Sequence, residues 1–280
     1  MKHFNLLLFL CWLTTVPMAT AYAQAPATPD GKFVAANGAN FYYEESGQGE
    51  PLLLLHGFGR TAADWKPFIA DYAKKYRVIA WDMRGHGRST GADTGKVFLH
   101  LAAAKDLLAF MDKLDLKKVR AVGHSSGGII ILNAAILAPD RFEAIVPVSA
   151  QVNFSQPVRD FIKQNAKPED YYQFNELEQQ HGKTKGQLIA RQFYHFHELE
   201  GDPAITAEQL AAIKARTLIV HGDNDFIPLA QPLEMHRNIP NARLWIVPNG
   251  WHMPHLGGAN ETDFSRRTLE FLSGEWSKER

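Results

Sequence analysis

Residues 121–128 read AVGHSSGG, an apolar run that breaks into glycines on either side of a pair of serines. The residues before it favour a strand and those after it a helix, so the glycines fall where the chain turns sharply. In a G-x-S-x-G turn the serine is held in a strained backbone conformation with its hydroxyl presented, and side chains at the flanking glycines would strike the turn or the neighbouring helix. Gly123-His124-Ser125-Ser126-Gly127 fits that pattern, with Ser125 as the presented hydroxyl. A flexible surface loop and a phosphate-cradling turn compete with this reading. The phosphate turn needs a longer glycine-rich loop ending in Lys-Ser or Lys-Thr, which does not follow here.

Working outward, the chain alternates strand and helix signals. FVAAN and FYYEES flank Asn37-Gly38, a hairpin signal, and PLLLLHG is a continuous apolar run of the kind covered on both faces. A helix is expected over 61–74, a strand in RVIAWD, a helix over 98–114, a strand in VRAVGH, a helix over 126–137 and a strand in AIVPVS. Such alternation predicts an α/β fold with a mainly parallel sheet flanked by helices. From Gln151 to Ala212 the pattern gives way to polar and aromatic short helices, and it resumes with TLIVHG, a helix over 229–237, ARLWIVP and a last helix over 261–276. One sheet interrupted by a helical insertion is the simplest account, because a connection of that length without a role of its own is uncommon.

A serine hydroxyl is a weak nucleophile at neutral pH and needs a base, itself oriented by an acid. In this topology the partners arrive on loops after later strands, in the order Ser, Asp, His. HGDNDFIP (221–228) and NGWHMPH (249–255) stand at two such strand ends. Asp225 is favoured over Asp223, which reads as a turn residue bonding its own backbone. His252 is favoured over His255, which follows Pro254 and reads as packing, and His124, inside the turn, reads as pocket lining. Two backbone amides are expected to face a developing oxyanion, from Phe58 in His56-Gly57-Phe58-Gly59 and from Ser126. Asp82 and Arg84 in WDMRGHGRS (81–89) read as structural, and His195 and His197 do not share a helix face as a metal pair would. Aromatics of the insertion, among them Phe154, Phe161, Tyr172, Phe193, Tyr194 and Phe196, are expected to supply part of a pocket wall.

Composition narrows the partners. Lys and Arg number 30 against 30 Asp and Glu, which gives no overall pull toward nucleic acid or an anionic membrane. Small-molecule substrates fit better. The first residues run from Lys2 through an apolar stretch, Leu6–Leu13, to Ala21, Ala23 and Ala25, the layout of an export signal cleaved after Ala23 or Ala25. The apolar stretch is shorter than the roughly 20 residues a membrane span requires, so no stable membrane insertion is expected after cleavage. Cys11 is the sole cysteine, so the mature chain would have no thiol nucleophile, disulfide or cysteine-bound metal. A periplasmic or secreted protein is the expectation, and oligomeric state is not legible.

HGFG, WDMRGHGRS, GHSSGG, GDNDFIP and WHMPH together resemble the α/β-hydrolase superfamily, in its branch of small capped enzymes with esterases, lactonases and cofactor-free haloperoxidases. The similarity runs from about Phe33 to Phe271. It implies an α/β-hydrolase fold with residues 24–150 and 213–280 forming the core and residues 151–212 a helical cap, following the export signal read over residues 1–23. It also implies Ser125, Asp225 and His252 as nucleophile, acid and base, with Phe58 and Ser126 as oxyanion donors and with no metal or organic cofactor. Serine at 125 sets the chain apart from dehalogenases and epoxide hydrolases, which use aspartate there. Arg60-Thr61-Ala62 departs from the serine- and glycine-rich loop of meta-cleavage hydrolases. Trp251 separates Gly250 from His252 where relatives have glycine next to the histidine, and is read as a pocket wall. The expected activity is hydrolysis of an ester or lactone through an acyl-enzyme, with acyl transfer or perhydrolysis, or a slow or non-catalytic ligand-binding (sensor) role, as the alternatives.

Overall fold

The computed structural model describes residues 31–91, 97–168, 174–257 and 259–277, so the segment read as an export signal lies outside the described residues. Asn37 and Gly38 both take positive φ, 44° and 75°, as a two-residue hairpin turn requires. They join strand β1 (Lys32–Ala36) to β2 (Ala39–Ser46) in antiparallel register. After these come β3 (Pro51–Leu55), a 3-10 turn (Ala62–Trp65), helix α1 (Lys66–Tyr72), β4 (Arg77–Trp81), α2 (His100–Lys113), β5 (Val119–His124), α3 (Ser126–Leu137) and β6 (Phe142–Val148). The helix expected over 61–74 is thus divided, with Pro67 in the first turn of α1, where its missing N–H costs nothing.

Four helices separate β6 from the next strand among the described residues: α4 (Gln156–Asn165), α5 (Phe174–His181), α6 (Lys183–His195) and α7 (Ala207–Ala211). The chain then returns through β7 (Arg216–Gly222), α8 (Ala230–Asn238), β8 (Ala242–Val247) and α9 (Ala259–Leu272). The last helix stops short of the expected 276 because Gly274, at φ 85°, turns the backbone left-handed, and Glu275–Ser277 forms a separate 3-10 turn.

All eight strands form one sheet in the order β1-β2-β4-β3-β5-β6-β7-β8, antiparallel through β1, β2 and β4 and parallel from β4 onward. Successive leucines of β3 show why its run is unbroken. Leu53 and Leu55 belong to the core layer that holds Phe110 of α2 and Ile130 of α3, whereas Leu52 and Leu54 belong to the layer that holds Phe68 of α1 and Phe264 of α9. Each is fully or almost fully buried, and each contributes roughly 1.5–3 kcal/mol relative to exposure. Covered on both faces, the centre of the sheet is a rigid base for whatever its strand ends carry.

Candidate active site

Because β3, β5, β7 and β8 are parallel, Phe58, Ser125, Asp225 and His252 all follow carboxyl ends of strands and gather along one edge of the sheet. Ser125 sits at φ 51° and ψ −119°, a conformation that costs a non-glycine residue about 1–3 kcal/mol. Its N–H donates to the Val148 carbonyl at 2.8 Å, and its own carbonyl accepts the Ile129 N–H at 3.0 Å, so the strain is held from both sides. A Cβ on Gly127 would run into the Leu55 carbonyl and come within 2.7 Å of the His56 carbonyl oxygen. Only glycine lets α3 start this close to the end of β3.

The structure brings Ser125, His252 and Asp225 into one hydrogen-bonded line. His252 Nε2 is 3.0 Å from Ser125 Oγ, and His252 Nδ1 is 3.0 and 3.1 Å from the Asp225 carboxylate oxygens. The Asp225 side chain is fully buried and also accepts the Ile227 N–H at 3.0 Å. Burial pushes its carboxyl upward, but His252 and the Ile227 amide outweigh that and hold it below the usual carboxylate value. An ionised Asp225 can only accept, so in the neutral imidazole Nδ1 carries the ring proton and Nε2 is left to accept the Ser125 O–H. The arrangement can therefore move a proton from Ser125 to His252.

The neighbouring candidates have other work. Asp223 differs from its expected role: instead of bonding its own turn, its Oδ1 accepts the Gly250 N–H at 3.1 Å, while the Asn224 N–H donates to the Gly250 carbonyl at 2.9 Å. The two loops lie side by side because β7 and β8 are paired, and the bonds fix the approach to His252 although Trp251 intervenes. His124 Nε2 donates to the His252 carbonyl at 2.8 Å, and burial beside His252 pushes its ring down to about 3, so it is neutral. His255 is buried against Trp65, Phe68 and Phe264.

Phe58 follows the end of β3 and Ser126 opens α3, and both line the same cavity as Ser125. The Ser126 N–H, in the first turn of a helix, has no intrahelical acceptor. A Cβ on Gly57 would touch Ser125 Cβ at 3.4 Å, which places the Phe58 loop against the serine.

Three histidines that sequence reasoning did not single out fix this loop. His56 Nδ1 donates to the Gly57 carbonyl at 2.7 Å and Nε2 accepts the Met83 N–H at 3.0 Å. His86 Nδ1 donates to the Arg84 carbonyl at 3.0 Å and Nε2 accepts the Gly59 N–H at 3.0 Å. His181 of α5 donates to the Gly59 carbonyl at 3.0 Å and accepts the Gly87 N–H at 2.7 Å. Each ring uses one nitrogen as acceptor, which requires the neutral form, and burial lowers all three, His181 to about 4. WDMRGHGRS is structural, as expected. Asp82 accepts the Ala62 and Arg88 amides at 2.8 and 2.9 Å, and Arg84 pairs with Asp106 at 2.6 Å while bonding the Asn37 carbonyl.

Ser125 and His252 open into a cavity of about 390 Å³. The insertion supplies Phe154, Val158, Phe161, Ile162, Phe193 and Phe196 to its lining. Tyr194 is not among the lining residues, and Tyr172 lies outside the described residues. Trp251 reaches the cavity but is 71% exposed, so it forms the rim where a wall was expected. Among the apolar lining, Gln151 is 4% exposed and its Oε1 has no hydrogen-bond partner among the described residues. Among the described residues, no helix is long and apolar enough to cross a membrane.

The comparisons with known proteins agree with this fold. Residues 50–201 match the family described as alpha/beta hydrolase fold, and the chain belongs to that family. It is a serine hydrolase of the α/β-hydrolase family. It is 30% identical to serine hydrolase BPHL of Homo sapiens over 273 residues, covering 92% of this chain and 91% of that one. Among solved structures, the enol-lactonase from Burkholderia xenovorans LB400 superposes with a TM-score of 0.72 at 21% identity, over 86% of this chain and 100% of that one. A meta-cleavage product hydrolase from Pseudomonas fluorescens IP01 gives 0.68 at 23% identity, over 87% and 97%. These two similarities are of fold, so the loop at Arg60-Thr61-Ala62 distinguishes the chain from the last branch in sequence without setting it apart in architecture.

Proposed function

We propose that the protein hydrolyses a carboxylic ester or lactone through an acyl-enzyme on Ser125. The observation that carries this reading is the line from Asp225 through His252 to Ser125 Oγ, opening on an apolar cavity. Ser125 Oγ adds to the carbonyl carbon while its proton passes to His252 Nε2, and the amides of Phe58 and Ser126 receive the oxyanion. As the tetrahedral intermediate collapses, the ester C–O bond breaks and His252 returns the proton to the departing alkoxide. Water then attacks the acyl-enzyme, giving its proton to His252, and the acid leaves as Ser125 regains its hydrogen. Asp225 keeps the tautomer that makes both transfers productive.

The helical insertion acts as the cap, since its aromatics line the cavity onto which Ser125 opens. An apolar acyl or alcohol portion suits that wall, and a hydrogen-bonding group on the substrate would meet the Gln151 amide, which is costly to leave unpaired when buried. Export of the mature chain is part of this proposal and is tested by N-terminal sequencing of the protein recovered outside the cytoplasm. The enzymatic reading is tested by steady-state turnover of p-nitrophenyl esters. Many product molecules per protein molecule are expected for the wild type and background release for Ser125→Ala; equal rates for the two would refute it.

A further inference from the structure

Beside the line at Ser125 lies a second one of the same chemistry that the acyl-enzyme steps do not use. His100, the first residue of α2, is fully buried; its Nδ1 is 2.7 Å from Asp202 Oδ1 and its Nε2 is 3.0 Å from Ser126 Oγ. Asp202 and Ser126 are each less than a tenth exposed. Asp202 also accepts the backbone N–H groups of His100 and Leu101, both at 2.9 Å. It thereby caps α2 from a distance, where Leu99 has no side chain able to do so. Burial pushes the Asp202 carboxyl up, but His100 and the two amides more than offset this, so it is ionised and accept-only. In the neutral tautomer that faces an ionised carboxylate, Nδ1 of His100 carries the ring proton and Nε2 accepts from the Ser126 hydroxyl.

We propose that His100 and Asp202 are positioning residues for the oxyanion side of the site, holding Ser126 by its hydroxyl so that its backbone N–H faces the carbonyl oxygen under attack. The proposal rests on the acyl-enzyme reading above. Asp202 belongs to the segment between α6 and α7, so the return of the insertion, the start of α2 and the first turn of α3 become one hydrogen-bonded unit. Where the insertion sits and where the Ser126 amide points are thereby linked.

The test uses the full chain with Ser126→Ala, His100→Leu and the double variant, with circular dichroism to confirm folding; Ser126→Ala removes one oxygen and keeps the assay usable if His100→Leu does not fold. Each folded single variant is expected to lower kcat for a p-nitrophenyl ester roughly 10- to 100-fold, less than the roughly 10²- to 10³-fold cost of removing an oxyanion donor outright because the amide is misaimed and not lost. KM should change little, and the double variant should lose no more than the worse single. Affinity for an arylboronic acid, which forms a tetrahedral adduct on serine, should fall in parallel with kcat. A merely structural role would lower Tm and leave kcat and boronate affinity per folded molecule alone, and that result would overturn the assignment. A fluorophosphonate adduct on Ser126 in a Ser125→Ala background would overturn it too, making Ser126 a second nucleophile. Wild-type turnover no faster than Ser125→Ala would instead sink the acyl-enzyme reading beneath it.

Discussion

At Asp225 a single oxygen-for-nitrogen exchange separates orientation from packing. The carboxylate accepts from His252 Nδ1 and from the Ile227 amide, and its burial leaves no water to replace either bond. Asp225→Asn keeps the volume but offers an N–H to His252, which favours the tautomer with its proton on Nε2, where it can no longer accept from Ser125. Ester turnover is expected to fall about 10⁴-fold in kcat with the fold intact, the size of effect seen when a triad aspartate is so replaced. Stopped-flow release of p-nitrophenol measures it, and a loss of only a few-fold would show that Asp225 does not set the tautomer.

The element that decides the site is the junction of β5 and α3, and its tolerance is dictated by backbone on both sides. Gly127→Ala puts a methyl against the carbonyls of Leu55 and His56, neither of which can swing away as a side chain would. A loss of about 1–3 kcal/mol is expected from such overpacking, read from the urea midpoint, together with loss of turnover as Ser125 shifts. Unchanged stability would mean that α3 does not seat against β3 as described. This junction was legible in the sequence because its constraints are local: two glycines, a serine and a change of period. The positions of Asp225, His252 and Phe58 after strand ends were legible for a related reason, since each follows an apolar strand whose end can be read directly. The bonds between distant elements were not. His181 meets Gly59 and Gly87 only because α5 folds back over the sheet edge, and Asp202 meets His100 across 102 positions of chain. Asp223 was misread on the same ground, for its partner Gly250 is brought by strand pairing and not by the local turn.

At the scale of the whole molecule, the buried histidines tie stability to pH. His56, His86, His124, His181, His221 and His255 are all held below their ordinary value, first by burial. In the unfolded chain they take up protons near pH 6.5, whereas the folded chain does so only at lower pH, His181 at about 4 and His124 at about 3. Below about pH 6.5 the unfolded state therefore binds more protons, and stability must fall as pH falls. Urea midpoints should be level from pH 8 to 7 and drop steadily from about pH 6.5 toward pH 4; a midpoint that rose on acidification would contradict neutral, buried rings. The central claim, that the whole chain is assembled to activate one hydroxyl, is tested most directly by intact mass after exposure to a fluorophosphonate. One adduct on the wild type that is absent from folded Ser125→Ala is the predicted result, and a folded wild type that takes up no adduct, or an adduct retained by the variant, would contradict it.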